Sequence, residues 1–212
     1  MVNVQEINRL LEKHFQIDGK TQIDPTTGVV DVRGWVSLRP TVKVTKLPVQ
    51  FGKVTHGSFN CSVNTLTTLI GAPEMEDGGS FNCSNNKLTS LEGAPQKTRS
   101  FDCSDNSLTS LVGAPESLDY LGCDRNPLQS LEGFPQVIEV RLDMSYRPDL
   151  PLLRTLVAKH SGIHLYARQT SLIQAAEQVE AILNKYAGQG KPGAIKCAVE
   201  LVKAGYKGNA RW

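Results

Sequence analysis

Four copies of one 15-residue motif run through the middle of this chain and constrain its fold more than any other feature. The copies are FNCSVNTLTTLIGAP, FNCSNNKLTSLEGAP, FDCSDNSLTSLVGAP and LGCDRNPLQSLEGFP, and they begin at Phe59, Phe81, Phe101 and Leu121. Successive copies begin 22, 20 and 20 residues apart. A period near 20 with fixed apolar positions and a fixed asparagine is typical of leucine-rich repeats, which stack into a solenoid.

The spacing within each copy predicts a short strand followed by a bend. Phe81 and Cys83 are two residues apart, so they share the strand face that must turn inward. The fixed asparagine lies in the bend, where its amide can satisfy unpaired backbone groups. These asparagines are Asn64, Asn86, Asn106 and Asn126. So short a period leaves no room for a full helix, and we predict extended or 3₁₀ return segments. The expected fold is an α/β solenoid, a leucine-rich repeat with a parallel β-sheet.

Both ends of the solenoid need caps, because a repeat cannot bury its inner face alone. We predict a helix and β-hairpin cap over residues 1–35, the repeat solenoid over 36–147 and a helical cap over 148–212. The first helix is expected over residues 3–16, where Asn3 and Glu6 have capping-box spacing. In the last turn of the solenoid, Leu142 and Met144 fit the inward position equally well, and both registers stay open.

The C-terminal cap is predicted to contain a short helix after Pro151, a strand over residues 163–166 and two longer helices. Ser171 and Gln174 form a second capping-box pair at the start of the first long helix. The last helix is expected to open at a Lys-Pro-Gly turn, since proline suits a first helical turn. Its apolar stripe is predicted to consist of Ile195, Val199 and Val202.

Four cysteines occupy one repeat position, where they could form either a four-thiolate metal site or a buried structural ladder. They are Cys61, Cys83, Cys103 and Cys123. Zinc sites usually use ligands paired two to four residues apart, whereas each of these cysteines lies in its own repeat. We therefore favour a buried ladder of small apolar side chains and expect no bound metal. Free thiols in this number indicate a reducing compartment.

Charge is distributed unevenly along the chain. Residues 1–58 contain 8 Lys/Arg and 5 Asp/Glu, residues 59–147 contain 6 and 12, and residues 148–212 contain 9 and 4. The acidic repeat body argues against nucleic acid binding by the solenoid itself. The basic C-terminal segment is compatible with binding to an acidic partner.

No known catalytic or targeting signal is found. The motifs of zinc proteases, serine hydrolases and dinucleotide-binding folds are absent, and the four histidines do not cluster at ligand spacing. The N-terminus has charges among its apolar residues, so we expect no signal peptide, and no segment is apolar enough to predict a membrane span. Asp102 and Asp124 could be paired carboxylates on adjacent rungs, but surface charge is the favoured interpretation. We expect no enzymatic activity and no cofactor.

Repetition fails in the fourth copy, and the candidate binding residues lie there. The residues that flank the inward positions are small and polar in the first three copies, whereas the fourth brings an aromatic residue and an arginine. Tyrosine and arginine are enriched at interface hot spots. The candidate partner-binding residues are Asp102, Tyr120, Asp124, Arg125 and Arg141.

A second candidate site is the basic end of the chain. A Gly-Lys-Pro-Gly turn at a helix start can hold an anion, although the spacing is not that of a P-loop. The candidate anion-binding residues are Lys191, Lys196, Lys203, Lys207 and Arg211. A plain hydrophobic cap is the alternative interpretation of these helices.

The chain resembles a family of short leucine-rich repeat proteins encoded by tailed phages. CSNNKLTSLEGAP, the segment KLPVQFGKV and the final GNARW carry this resemblance, which covers nearly the whole chain. The resemblance implies a bacteriophage protein acting in the bacterial host cytoplasm, with a role in host takeover or counter-defence. The fourth copy departs from the family's repeat, since Asp-Arg replaces Ser-Asn and a proline follows.

Two functions from different classes follow as expectations. The leading one is a non-catalytic module that binds a bacterial host protein and blocks it by occupancy. The alternative is binding of nucleic acid or an anionic nucleotide by the basic C-terminal helices.

Overall fold

The four copies stack as successive turns of a parallel-strand solenoid in the computed structural model, which describes residues 2–212. The solenoid has about seven turns and carries a short N-terminal helix and C-terminal helices. The predicted fold class is therefore confirmed. Eleven strands form one sheet across the described residues.

The N-terminal cap is a helix followed by a hairpin. Helix α1 (Val4–His14) begins after Asn3, whose side-chain oxygen accepts a hydrogen bond from the Glu6 amide at 3.1 Å, as the sequence predicts. Strands β1 (Phe15–Ile23) and β2 (Val30–Leu38) then pair antiparallel.

Strand β2 belongs to the cap and to the solenoid at once. Its first half pairs in parallel with β3 (Phe51–Thr55) and its second half with β4 (Phe59–Asn60). The hairpin therefore covers the first repeat by continuing its sheet. The domain boundary predicted after residue 35 falls inside this strand.

The repeat strands are short and in register. After β4 they are β5 (Glu74–Met75), β6 (Ser80–Asn82), β7 (Ser100–Asp102), β8 (Ser117–Gly122) and β9 (Val137–Ser145). Phe59, Phe81, Phe101 and Leu121 are directly paired neighbours, and Leu121 pairs with Leu142. The open register of the last turn is thus settled in favour of Leu142.

Aromatic stacking fills the core between neighbouring turns. The ring centroids of Phe59 and Phe81 lie 5.4 Å apart, and those of Phe81 and Phe101 lie 5.8 Å apart. In both pairs the rings are nearly parallel and stacked. The four repeat cysteines and the leucines of the return segments are fully buried around this column. The return segments of the four copies contain turns and no helix, as predicted.

The repeat asparagines link one turn to the next. The side-chain oxygen of Asn106 accepts from the Leu88 amide of the preceding copy at 3.0 Å. Its side-chain nitrogen donates to the carbonyls of Cys83, Cys103 and Ser104. Asn86 and Asn126 repeat this pattern, so the predicted ladder is confirmed.

The C-terminal cap extends the sheet and then adds two helices. A 3₁₀ helix (Leu153–Val157) leads to β10 (Lys159–His160) and β11 (Ile163–Tyr166), which both pair in parallel with β9. Helices α2 (Thr170–Lys185) and α3 (Gly190–Lys203) follow.

Two details of these helices differ from the prediction. Helix α2 begins after Gln169 and has no side-chain cap, so the Ser171 capping box is wrong. The predicted stripe of α3 faces solvent, since Ile195, Val199 and Val202 are 63%, 51% and 46% exposed. The buried face of α3 consists of Gly193, Ala194, Cys197 and Leu201, because small side chains allow the close approach of the rest of the cap.

Asn106→Leu tests the asparagine ladder. The substitution leaves the Leu88 amide without its partner, and an unpaired buried group costs about 1–3 kcal/mol. It also removes one of the two hydrogen bonds that the carbonyls of Cys83, Cys103 and Ser104 accept. We expect the free energy of unfolding, measured by urea denaturation, to fall by about 3 kcal/mol. Asn8→Leu on the exposed side of α1 is the control and should change it by less than about 0.5 kcal/mol. A loss below about 1 kcal/mol for Asn106→Leu would contradict the ladder's role.

The buried thiols should be inert in the native protein. Burial raises the pKa of Cys61 and of Cys197 to about 12, and raises those of the other three cysteines further, so little thiolate exists near neutral pH. Ellman's reagent at pH 8 should titrate all five cysteines in guanidinium chloride and none rapidly in native buffer. Rapid labelling of the native chain would show that the cysteine ladder opens.

Candidate functional site

Most of the candidate residues lie on β7, β8 and β9, on the exposed face of the sheet. This face is the side opposite the buried phenylalanine column. In one row across the strands, Asp102 pairs with Gly122 and Gly122 with Asp143. In the next row, Tyr120 lies between Ser100 and Arg141. Small polar residues occupy these rows in β6, so the chemistry of the face changes at β8.

Gly122 makes room for the ring of Tyr120. A Cβ atom at this position would lie 2.7 Å from the Tyr120 hydroxyl and 3.0 Å from a carboxylate oxygen of Asp102. The Tyr120 hydroxyl instead reaches past the glycine and donates to Oδ2 of Asp143 at 3.1 Å. Replacing the repeat's Asn or Asp by glycine therefore lets an aromatic ring lie along the sheet.

Arg141 connects the same carboxylate to the C-terminal cap. Its Nε donates to Oδ1 of Asp143 at 2.7 Å, and a terminal nitrogen donates to the hydroxyl of Tyr166 at 3.1 Å. The Asp143 side chain is nearly buried, so it holds both donors with little competition from water. Tyr120, Arg141 and Tyr166 are thereby fixed around one carboxylate.

Arg125 stands at a strained backbone position. Its φ is 54°, in the left-handed region that Asn85 and Asp105 also adopt at this point of the repeat. Asparagine and aspartate suit that region better than arginine does, and the first copy also places a less suited residue there, since Val63 has a φ of 56°.

Two carboxylates hold the Arg125 side chain. Its Nε lies 2.5 Å from Oδ2 of Asp105, and a terminal nitrogen lies 2.5 Å from Oδ2 of Asp124. Arg168 from the cap reaches the other oxygen of Asp105 at 3.4 Å. The result is a network in which acidic groups of the repeats orient arginines of the fourth copy and the cap.

The network shifts the ionisation of its members. Burial, the Asp143 carboxylate and the Asp102 carboxylate raise the pKa of Tyr120 well above its usual value. Burial also raises the pKa of Asp124, an effect that the adjacent Arg125 partly offsets. The hydrogen bond to Asp105 raises the pKa of Arg125. Tyr120 therefore stays a neutral hydrogen-bond donor, and the arginines stay charged.

The five predicted partner-binding residues thus lie on one patch, which we call the fourth-rung patch: Asp102, Tyr120, Asp124, Arg125 and Arg141. The sequence prediction missed Asp105, Asp143, Tyr166 and Arg168, which complete the network. Asp105 was identifiable because it stands one repeat before Arg125 at the same position. Asp143 faces outward in both open registers of the last turn, but the two registers place it in different rows of the sheet.

The predicted anion-binding residues of the C-terminus do not form one cluster of free cations. Lys196 and Lys203 are seven residues apart on α3 and share a face, whereas Lys191 lies about 140° around the helix. The Arg211 guanidinium donates to the carbonyls of Gly208 and Asp149, at 3.1 and 2.7 Å, and so ties the chain end to the cap. Lys207 is exposed after the last helix.

Two further findings concern residues 2–212. No group of three or more histidine, cysteine, aspartate or glutamate side chains in this part of the chain is arranged to hold a metal ion. None of its helices combines the length and hydropathy needed to cross a bilayer.

Comparisons with known proteins give no relative. No protein-family model, no curated protein and no solved structure matches this chain. The site is therefore interpreted from its own geometry.

Proposed function

We propose that this chain is a non-catalytic protein-binding module whose fourth-rung patch docks a partner protein. The observation that supports this most is the convergence of Tyr120, Arg125 and Arg141 beside three rungs, β4, β6 and β7, whose exposed side chains are small and polar. Tyrosine and arginine are enriched among the hot-spot residues of protein interfaces.

The fixed geometry of the patch supports the same proposal. Carboxylates already hold Arg125 and Arg141 in place, so binding would cost less side-chain entropy than with free arginines. Each guanidinium keeps N–H groups beyond those used by its carboxylates, and these can donate to a partner. The partner surface that fits would carry acidic groups and backbone carbonyls around an apolar contact for Tyr120.

The resemblance to phage proteins suggests the partner. We propose a protein of the bacterial host cytoplasm, which this chain would modulate or inhibit by occupying its surface during host takeover or counter-defence. Binding of nucleic acid or an anionic nucleotide by α2 and α3 remains the alternative proposal, with Lys196 and Lys203 as its exposed cations.

Affinity capture with matched variants tests the proposal. The full chain, immobilised and exposed to bacterial lysate, should retain a specific protein that Tyr120→Ser weakens by about tenfold or more, the effect of removing a hot-spot side chain. Serine is the residue of the second and third copies at this position, so the scaffold is preserved. Ser80→Ala on the uniform part of the face is the control and should change the affinity by less than about twofold.

Two outcomes would contradict the proposal. One is no specific protein above background, and the other is a captured protein that Tyr120→Ser does not affect. Salt-dependent retention of nucleic acid that is lost in Lys196→Ala/Lys203→Ala would favour the alternative.

A further inference from the structure

A cavity of about 500 Å³ lies where the solenoid meets the C-terminal cap. It is formed by the bend after β8, the ends of β9 and β11 and the start of α2. Strands β9 and β11 run parallel, so their carboxyl ends open to the same edge, as they do at the ligand sites of open α/β sheets. Its volume is within the range of small-molecule sites, about 300–1,000 Å³.

Three arginines line this cavity: Arg125, Arg147 and Arg168. Asp105 orients two of them through its two carboxylate oxygens. Arg147 makes no ion pair within residues 2–212, so its guanidinium is free to meet a ligand. A planar guanidinium matches two oxygens of a phosphate group at once.

The remaining lining residues suit the rest of a nucleoside phosphate. Asp149 offers a carboxylate that can accept from sugar hydroxyls. Tyr166 and Leu172 give an aromatic and an aliphatic surface for a base. The N-terminal end of α2 opens at this edge without a side-chain cap, which adds positive potential next to the arginines.

Other classes of ligand fit less well. A metal cation would meet three guanidinium groups and one carboxylate, and a purely apolar molecule would leave the arginines desolvated without partners. Long nucleic acid is disfavoured by the acidic repeat body that borders the cavity, since residues 59–147 contain 12 Asp/Glu and 6 Lys/Arg.

We propose that this cavity binds a nucleoside phosphate, with Arg147 and Arg168 holding the phosphate and Asp149 facing the sugar. This inference goes beyond protein binding by the fourth-rung patch and does not depend on it. It also differs from the sequence-based alternative, because it uses none of the lysines of α3. Arg125 belongs to both places, so a bound ligand would contact a residue of the protein-binding patch.

Calorimetric titration of the full chain tests the site. The probes are AMP, GMP, CMP and UMP, with inorganic phosphate and a single-stranded DNA oligonucleotide as separate arms. We expect at least one nucleoside monophosphate to bind at least about tenfold more tightly than inorganic phosphate. Arg147→Gln should weaken it by about 10- to 100-fold, the effect of losing a charge-assisted hydrogen bond.

Matched variants separate the site from the fold and from general charge. Arg147 and Arg168 are exposed, so Arg168→Gln provides a second test in case one variant folds poorly. Arg99→Gln removes an exposed arginine that pairs with Asp119, outside the residues that line the cavity, and should leave affinity unchanged. Undiminished binding in both cavity variants would overturn the proposal. So would absence of nucleotide binding, equal affinity for inorganic phosphate, or binding of the oligonucleotide alone.

Discussion

The side-chain amide of the repeat asparagine is the interaction on which the rest of this structure depends. After each short strand the chain bends, and the amide of the leucine that follows the bend has no partner in its own turn. The side-chain oxygen of the asparagine in the next turn accepts the hydrogen bond from this amide. The same bonds fix the distance and register between neighbouring turns. The phenylalanine column, the buried thiols and the rows on the exposed face all follow from that register.

Most of the scaffold was predictable because its determinants are local and repeated. The period, the inward apolar and Cys positions and the asparagine ladder are properties of one motif that keeps these positions in all four copies. The register of α3 was not predictable in this way. Ile195, Val199 and Val202 form the stronger apolar stripe, yet α3 buries the face that contains its small residues. We attribute this to close packing against the rest of the cap, where small side chains fit and large apolar ones do not. Such a choice depends on tertiary contacts that periodicity does not report.

The candidate site was predictable to the extent that it breaks the repeat. Tyr120 and Arg125 stood out because the other copies have serine at the first position, and valine, asparagine or aspartate at the second. The carboxylates that hold Arg125 lie in the third and fourth copies, whereas Asp143, which holds Tyr120, comes from β9, where no repeat supplies an alignment. Gly122 illustrates the coupling: its missing side chain matters only because Tyr120 lies across it and reaches Asp143. The candidate site therefore consists of residues that depart from the repeat without disturbing its buried positions.

The most direct test of this account restores the fourth strand to the sequence of the second copy. The variant Tyr120→Ser, Gly122→Asn, Asp124→Ser, Arg125→Asn keeps the inward residues and removes the aromatic, charged and strained positions. The measurement is cooperative urea unfolding together with capture of the proposed partner protein. The account predicts a folded solenoid that unfolds cooperatively and no longer retains the partner. A folded variant that captures the partner as well as the original chain, or a variant that fails to fold, would contradict it.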